Sequence, residues 1–172
     1  MSTNTTTQQR DADSYIAVDR PSGTAYAAFN DNGISFAMLA KDAKSFERAF
    51  QQRFDRPVQP AKKPAPALKR ALKSGTGERK LQYDLEGLTD FQRSVLNKTL
   101  EVPRGEVRPY SWIAREIGRP RAVRAVGSAL GYNPVPLLIP CHRIVRSDGT
   151  IGNYGFGTAA KRSLLAEEGV VL

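Results

Sequence analysis

Apolar residues in the first part of the chain occur in short runs that turn residues separate. The runs Tyr15–Val18 and Thr24–Phe29 are followed by the turn signals Pro21–Gly23 and Asp31–Gly33, respectively. Runs of this length between Gly, Pro and Asn residues are typical of β-strands. The pattern therefore predicts short strands between residues 14 and 36.

The pattern then changes to a helical period, with Phe46, Ala49 and Phe50 on one face of a helix over 43–54. An exposed, basic and proline-rich connection is predicted over 57–80, with a short basic helix over 68–73 inside it. A last strand is predicted over 81–85. Residues 1–13 are polar and are expected to be disordered. Together these elements predict an N-terminal α/β domain over 14–85.

Helical periodicity dominates the rest of the chain, which is predicted to be a C-terminal domain over 86–172. Thr89 and Gln92 form a capping-box pattern that opens a helix to about Leu100. Further helices are predicted over 111–117, 121–130 and 158–168, the last ending at Gly169. A turn containing Gly118 joins the helices over 111–117 and 121–130. This suggests a helix-turn-helix unit, although an ordinary pair of packed helices fits the pattern equally well.

Composition limits the classes of protein that fit. The chain has 172 residues, of which 40% are hydrophobic, so it can bury a substantial core. The formal net charge is +9 and the pI is about 9.9, which indicates either a nucleic-acid partner or a generic basic surface. A single cysteine excludes an internal disulfide and a Cys-rich zinc site, and fits a reducing, intracellular location.

The sequence predicts neither a membrane contact nor a bound cofactor. No apolar run is long enough to cross a bilayer, and no charged-then-apolar leader opens the chain. A glycine-rich dinucleotide loop, a P-loop and clustered metal ligands are all missing from the sequence. We therefore expect no cofactor and no metal.

Cys141 and His142 are the only cysteine and the only histidine of the chain, and they are adjacent. These side chains suit nucleophilic chemistry near neutral pH, although a lone cysteine is most often a small buried hydrophobe. Neighbours on an extended segment point to opposite faces, so direct proton transfer between the two is not expected. A bridging water is the more natural geometry, with a carboxylate behind His142 to orient its ring.

Four segments resemble the O6-alkylguanine-DNA alkyltransferase family. They are NPVPLLIPCHRIV at 133–145, VPRGEV at 102–107, GNYG at 152–155 and LLAEEG at 164–169. The resemblance covers about residues 85–169, and the N-terminal part resembles the family's variable first domain only in layout. It implies an RNase H-like α/β first domain and a mainly α second domain with a winged-helix-like helix-turn-helix unit. It also implies DNA repair by irreversible transfer of an alkyl group, mainly methyl, from O6 of guanine or O4 of thymine to the cysteine.

The resemblance implies a role for each catalytic residue. Cys141 is the alkyl acceptor, His142 is the water-mediated general base, and Glu168 orients His142. Asn133 braces the turn before the active-site segment, and Tyr110 hydrogen-bonds the target base and donates a proton as guanine leaves. Structural alternatives stay open, since Glu168 could be a solvated helix-end charge, Asn133 a turn residue before proline and Tyr110 a half-buried aromatic.

The implied partner is double-stranded DNA that carries O6-alkylguanine, bound by a monomer, with cooperative binding left open. Arg124 corresponds to the arginine finger that fills the gap left by a flipped nucleotide, on a helix that enters the minor groove. A solvated surface arginine is the alternative for Arg124.

The resemblance implies five further DNA-contact residues. Small residues let the helix approach DNA, and arginines contact phosphates: Ala125, Gly127, Ser128, Arg119 and Arg121. A cytoplasmic, nucleoid-associated location follows.

The resemblance also implies an alkyl pocket with five lining residues: Tyr154, Ile144, Gly155, Phe156 and Leu130. Backbone groups at Cys141 and Ile144 are expected to read the edges of guanine, and the bulky ring of Phe156 should narrow the pocket. Tyr154 could instead be an ordinary half-buried aromatic. Arg143 has no assigned role and could make a structural ion pair.

Two other classes of protein fit part of the sequence. A non-catalytic sensor of alkyl damage would bind the same DNA but lacks the acceptor cysteine. A helix-turn-helix regulator would need no nucleophile and would usually dimerise on a two-fold operator. The presence of Cys141 therefore argues for repair.

Overall fold

The computed structural model describes residues 12–75 and 80–172. Its N-terminal segment, residues 12–75, is built on a four-stranded sheet in the order β3-β2-β1-β4. The strands are β1 Asp13–Arg20, β2 Gly23–Asn30, β3 Gly33–Leu39 and β4 Val58–Pro60. β1, β2 and β3 form an antiparallel meander, and β4 pairs with β1 in parallel. The prediction of short strands and turns is confirmed.

The N-terminal boundary of the predicted strands is wrong at Asp13. This residue was expected to be disordered, but it begins β1 and is buried. Its carboxylate accepts hydrogen bonds from Ser35, Asn30 and Arg56, and these bonds compensate the cost of burying a charge. The expected disorder of residues 1–11 lies outside the described residues.

The helix α1 spans Ala43–Phe54, as the apolar spacing predicts. It begins where the Asp42 side chain accepts a hydrogen bond from the Ser45 amide, a common N-cap interaction. Strand residues alternate between the two faces of a sheet, and one face meets α1 through an aromatic cluster. The cluster is centred on the fully buried Phe46 and contains Tyr15, Tyr26, Phe36 and Phe50.

The connection after α1 is more structured than predicted. The expected exposed linker contains β4, and the basic helix, α2, is longer than expected and spans Pro66–Ser74. The strand predicted over 81–85 is wrong, since only Tyr83 forms a bridge there, to Ile34. The apolar residues of this stretch instead pack along the edge of the core.

The C-terminal segment, residues 80–172, holds four helices among the residues that the structure describes: α3 Asp90–Thr99, α4 Tyr110–Glu116, α5 Val123–Gly131 and α6 Thr158–Glu167. Both halves of the predicted capping box form, since Thr89 accepts from the Gln92 amide and Gln92 accepts from the Thr89 amide. Two short parallel strands, β5 Arg108–Pro109 and β6 Ile144–Val145, join α4 to the segment that follows Cys141.

One hydrophobic core links the two segments. The sheet face opposite α1 packs against α2, and the same cluster continues through α3, α4, α5 and α6, with members such as Ala27, Leu72, Val95, Ile113 and Leu164. A mixed arrangement of sheet and helices results, in which the C-terminal segment lies against α2 and β1. None of the described helices combines the length and apolar character needed to cross a membrane.

The aromatic cluster predicts a large loss of stability for Phe46→Ala. The ring of Phe46 contacts those of Tyr15, Tyr26 and Phe36, and its removal leaves a cavity under the sheet. We expect the free energy of unfolding in urea to fall by about 3–5 kcal/mol. Lys44→Ala, on the exposed side of α1, is the matched control, and a Phe46→Ala loss below about 1 kcal/mol would contradict this packing.

Candidate active site

The Cys141–His142 pair lies on a single 3₁₀ turn, Cys141–Arg143, and not on the extended segment that was expected. Pro140 precedes the turn, and its carbonyl accepts the Arg143 amide at 2.9 Å. Successive side chains on a 3₁₀ turn point about 120° apart. Cys141 is accordingly part-exposed while His142 is buried, and no hydrogen bond joins their two side chains among the described contacts.

Asn133 holds the segment that leads into the turn. Its Nδ2 donates to the Ile139 carbonyl at 2.9 Å, and its Oδ1 accepts the Val135 amide at 2.9 Å. Between these anchors Leu137 adopts a φ of 78°, a left-handed conformation that is costly for a branched side chain. The side-chain hydrogen bonds of Asn133 thus hold in place the buried and strained segment that precedes Cys141.

His142 and Glu168 form a buried pair. His142 Nε2 lies 2.9 Å from Glu168 Oε1, and both side chains are nearly inaccessible to solvent. Burial raises the pKa of Glu168, but hydrogen bonds from His142 and Arg143 outweigh burial and lower this pKa to about 2. Burial lowers the pKa of His142 against the opposing effect of Glu168. The pair therefore consists of a carboxylate and a neutral imidazole at neutral pH.

The tautomer of His142 follows from its partner. An ionised carboxylate can only accept hydrogen bonds, so Nε2 carries the proton and donates it to Glu168. The other ring nitrogen, Nδ1, is buried and has no protein partner among the described residues. Nδ1 is therefore the basic atom of the ring.

Arg143 makes the structural ion pair that the sequence left open. Its Nε and Nη2 reach the two oxygens of Glu168 at 2.9 and 2.8 Å. Nη1 donates to the Val102 carbonyl and Nη2 to the Gly75 carbonyl. A bidentate guanidinium–carboxylate pair of this kind is strong and directional, and it joins the active-site turn to the ends of α6 and α2.

The thiol of Cys141 lies in an electrostatically mixed environment. Burial raises its pKa, and Asn133 and the charge of Lys161 act in the opposite direction. Lys161 is fully buried, and burial lowers the pKa of its ammonium group to about 8. Its Nζ donates to the Ile144 carbonyl at 2.5 Å and to the Asn153 carbonyl at 3.3 Å.

The sequence interpretation missed Lys161. The signal was available, because Lys161, Leu164, Leu165 and Glu168 follow the i, i+3, i+4, i+7 spacing of one helix face. A lysine within an apolar stripe indicates a buried cation. Its electrostatic effect on the thiol depends on tertiary packing, which the spacing does not reveal.

A cavity of about 880 Å³ opens beside Cys141. Of the five predicted pocket residues, four line it: Tyr154, Gly155, Phe156 and Leu130. Ile144 does not appear in its wall. The Ile144 side chain is buried, its amide donates to the Cys141 carbonyl, and its own carbonyl already accepts Lys161. The rings of Tyr154 and Phe156 meet edge to face, with their centroids 5.6 Å apart.

Tyr110, the first residue of α4, also lines this cavity. Its hydroxyl donates weakly to the Asn153 carbonyl at 3.4 Å. Gly152 permits this approach, because its φ is 72° and a Cβ there would lie 3.2 Å from the Tyr110 oxygen. Burial and the neighbouring Cys141 raise the pKa of the Tyr110 phenol, so the phenol keeps its proton.

The predicted contact residues of α5 share one accessible side. Arg124, Ala125 and Ser128 are exposed, and Gly127 is half-buried. Arg124, Gly127 and Ser128 also line the cavity, so this side of the helix is continuous with the opening above Cys141. Arg119 and Arg121 are exposed in the turn before α5.

Comparison with known proteins identifies close sequence relatives of the C-terminal segment. Residues 90–170 match the family model described as "6-O-methylguanine DNA methyltransferase, DNA binding domain". The methylated-DNA–protein-cysteine methyltransferase of Rattus norvegicus is 55% identical over 82 residues, which is 46% of this chain and 39% of that protein. The protein of the same name from Mycobacterium tuberculosis is 47% identical over 88 residues, 51% of this chain and 53% of its own length. These alignments thus span about half or less of the relatives.

Solved structures extend the similarity to most of the chain. The crystal structure of Mycobacterium tuberculosis OGT in complex with DNA superposes with a TM-score of 0.72 at 32% identity, covering 90% of this chain and 91% of that one. The O6-methylguanine-DNA methyltransferase of Pyrococcus kodakaraensis gives a TM-score of 0.71 at 27% identity, covering 92% and 99%. The mixed sheet-and-helix fold is therefore shared over about nine tenths of the chain.

The buried His142–Glu168 pair predicts loss of stability in acid. The pKa values of both groups are lowered by folding, from ordinary values of 6.5 and 4.5, so the unfolded chain binds more protons. The free energy of unfolding should fall as the pH drops below about 6.5, and fall further between about 4.5 and 2. Urea unfolding across this range measures it. Glu168→Gln should show a flatter dependence in the lower part, and equal slopes for both proteins would refute the assignment.

Proposed function

The chain belongs to the 6-O-methylguanine DNA methyltransferase family, and from this premise we propose that it repairs DNA by moving the alkyl group of O6-alkylguanine, or of O4-alkylthymine, onto Cys141. One observation carries the proposal. The only thiol of the chain opens into a cavity beside a buried imidazole–carboxylate pair. This arrangement supplies a nucleophile, a general base and room for an alkylated nucleobase.

The first step is formation of the thiolate. His142 is neutral and directs its basic Nδ1 away from Glu168, so it can take the thiol proton of Cys141 through one bridging water. Glu168 stabilises the imidazolium that results, and it keeps the proton on Nε2 beforehand. The positive charge of Lys161 favours the thiolate. These contributions oppose the burial of the thiol, which remains the larger effect and keeps the pKa of Cys141 raised.

The second step is transfer of the alkyl group. The sulfur attacks the alkyl carbon, the carbon–O6 bond breaks, and the bonding electrons remain on guanine. Tyr110 then donates its proton to the departing base, which neutralises the developing negative charge. Burial raises the pKa of Tyr110, so the phenol is protonated before the reaction and has a proton to donate.

The product is a thioether at Cys141. Its reversal needs a second nucleophile, and the sequence contains no other cysteine. Each molecule therefore acts once, and repair is stoichiometric with protein.

DNA would bind across α4 and α5, which we interpret as a helix-turn-helix unit in a C-terminal domain over 86–172. The strands β5 and β6 fit a winged-helix-like arrangement, and the sheet with α1 and α2 fits an RNase H-like N-terminal domain over 14–85. The small exposed residues of α5 allow close approach to the minor groove, and the arginines of the preceding turn would contact phosphates. Arg124 lines the cavity and would fill the gap left by a flipped nucleotide.

Intact-protein mass after incubation with DNA containing O6-methylguanine tests the proposed reaction. We expect wild-type protein to gain one methyl group and then to stop, because the acceptor is consumed. Cys141→Ala should bind the same DNA with no gain in mass. DNA binding by wild-type protein without methylation would overturn the proposal and favour a damage sensor or a regulator.

The ring of Phe156 predicts a preference for small alkyl groups. Phe156 is exposed at the cavity mouth and packs against Tyr154, so it narrows the entrance. Phe156→Gly should accelerate single-turnover transfer from O6-benzylguanine by about tenfold or more, a change of about 1.4 kcal/mol. Transfer of methyl from DNA serves as the control and should change much less. Equal benzyl rates in the two proteins would exclude this role.

A further inference from the structure

A second arginine reaches the charge cluster behind His142 from the sheet. Arg20, the last residue of β1, is almost fully buried, and its Nη2 lies 2.9 Å from Glu167 Oε2. Glu167 is also largely buried and directly precedes Glu168. The cluster therefore contains two adjacent carboxylates, each paired with its own arginine: Arg20 with Glu167, and Arg143 with Glu168.

Both arginines also bind the C-terminal end of α2. Arg20 Nη1 donates to the Leu72 carbonyl at 3.2 Å, and Arg143 Nη2 donates to the Gly75 carbonyl at 2.9 Å. The last carbonyls of a helix carry partial negative charge and favour nearby cations. Glycine suits position 75, because its φ is 66° and a Cβ would lie 2.8 Å from Arg20 Nη2, which would then have to move. The two guanidinium groups thus share one end of one helix.

Charged groups approach His142 from several described elements. Glu168 contacts the ring, Arg143 lies on the same turn, and Arg20 comes from β1; the charges of both arginines lower the pKa of His142. The neighbouring loop and helix ends carry Arg104, which donates to the Glu167 carbonyl, and the exposed Lys73 in the last turn of α2. Glu167 pairs with Arg20, and the charge of Lys161, on α6, acts to lower the pKa of the Cys141 thiol.

We propose that Arg20 is a positioning residue for the His142–Glu168 pair. Arg20 neutralises Glu167, and this leaves Arg143 on Glu168 and the imidazole uncharged. Without Arg20, the carboxylate of Glu167 is buried without its cation and lies next to Glu168 in the chain. Its charge then favours a proton on His142 and competes for Arg143. Through Arg20, which ends β1, the sheet of the N-terminal segment would control the protonation of His142, the general base of the proposed reaction.

The single histidine of the chain permits a direct test that needs no substrate. Proton–carbon NMR of ring-labelled protein follows the protonation of His142 alone across the pH range in which each variant stays folded. We expect the His142 midpoint to move to higher pH in Arg20→Gln, and to stay near the wild-type midpoint in Arg20→Lys, which keeps the charge. Identical titration of Arg20→Gln and wild type would overturn the proposal.

Glu167→Gln is a second variant whose expected shift has the opposite sign. It leaves Arg20 without its anion, so the His142 midpoint should move to lower pH, and the double variant Arg20→Gln/Glu167→Gln should return it toward wild type. A purely structural ion pair predicts similar losses of stability in both single variants and no opposed shifts. If Arg20→Gln does not fold, Arg20→Lys and Glu167→Gln still decide the question.

The kinetic part of the test rests on the proposed function. In Arg20→Gln, single-turnover methyl transfer should slow more at acidic than at alkaline pH, because less His142 is neutral. A rate reduced by the same factor at every pH would contradict the positioning role. Failure of the wild-type protein to accept methyl would instead overturn the proposed function, while leaving the NMR result valid.

Discussion

The buried carboxylate of Glu168 is the constraint on which the arrangement of the site depends. Burying a charge in a protein interior is costly, and a buried charge is tolerated only when hydrogen-bonding partners surround it. Glu168 obtains them from His142 on one side and from Nε and Nη2 of Arg143 on the other. The same bonds hold the 3₁₀ turn of Cys141 against the end of α6. The position of the nucleophile is therefore a consequence of satisfying an anion that does not touch it.

Burial acts on each reacting group in the direction of its neutral form. It raises the pKa values of the Cys141 thiol and the Tyr110 phenol, and it lowers those of His142 and Lys161. Burial therefore widens the gap between the pKa values of the Cys141 thiol and His142, so both groups are neutral at rest, and proton transfer between them depends on the opposing effects of Lys161 and Glu168. Glu168 is the exception and stays ionised, which gives the imidazole one fixed direction.

Elements with local signals could be predicted from the sequence. The bounds of α1 match the prediction because an N-cap and an amphipathic stripe define them, and the Thr89–Gln92 capping box forms as its spacing indicates. β4 escaped prediction because three residues ending in proline have no strand signal of their own and depend on pairing with β1. The apolar run over 81–85 misled the interpretation, because its residues pack as an irregular edge of the core. The ion pair of Arg20 with Glu167 joins residues far apart in the chain, so no local pattern in the sequence predicts it. The catalytic roles drawn from the family resemblance stay predictions.

The contact between Arg20 and Gly75 has a consequence for how the family can diverge at these positions. A side chain at residue 75 would come too close to the guanidinium group of Arg20 and would strain the left-handed backbone, so residue 75 cannot change freely while Arg20 is kept. Relatives that lack the arginine lose only the steric part of this requirement, because the φ of 66° still favours glycine, whereas relatives that have it should retain glycine at the end of α2. The two positions, far apart in the chain, are therefore expected to evolve as a correlated pair.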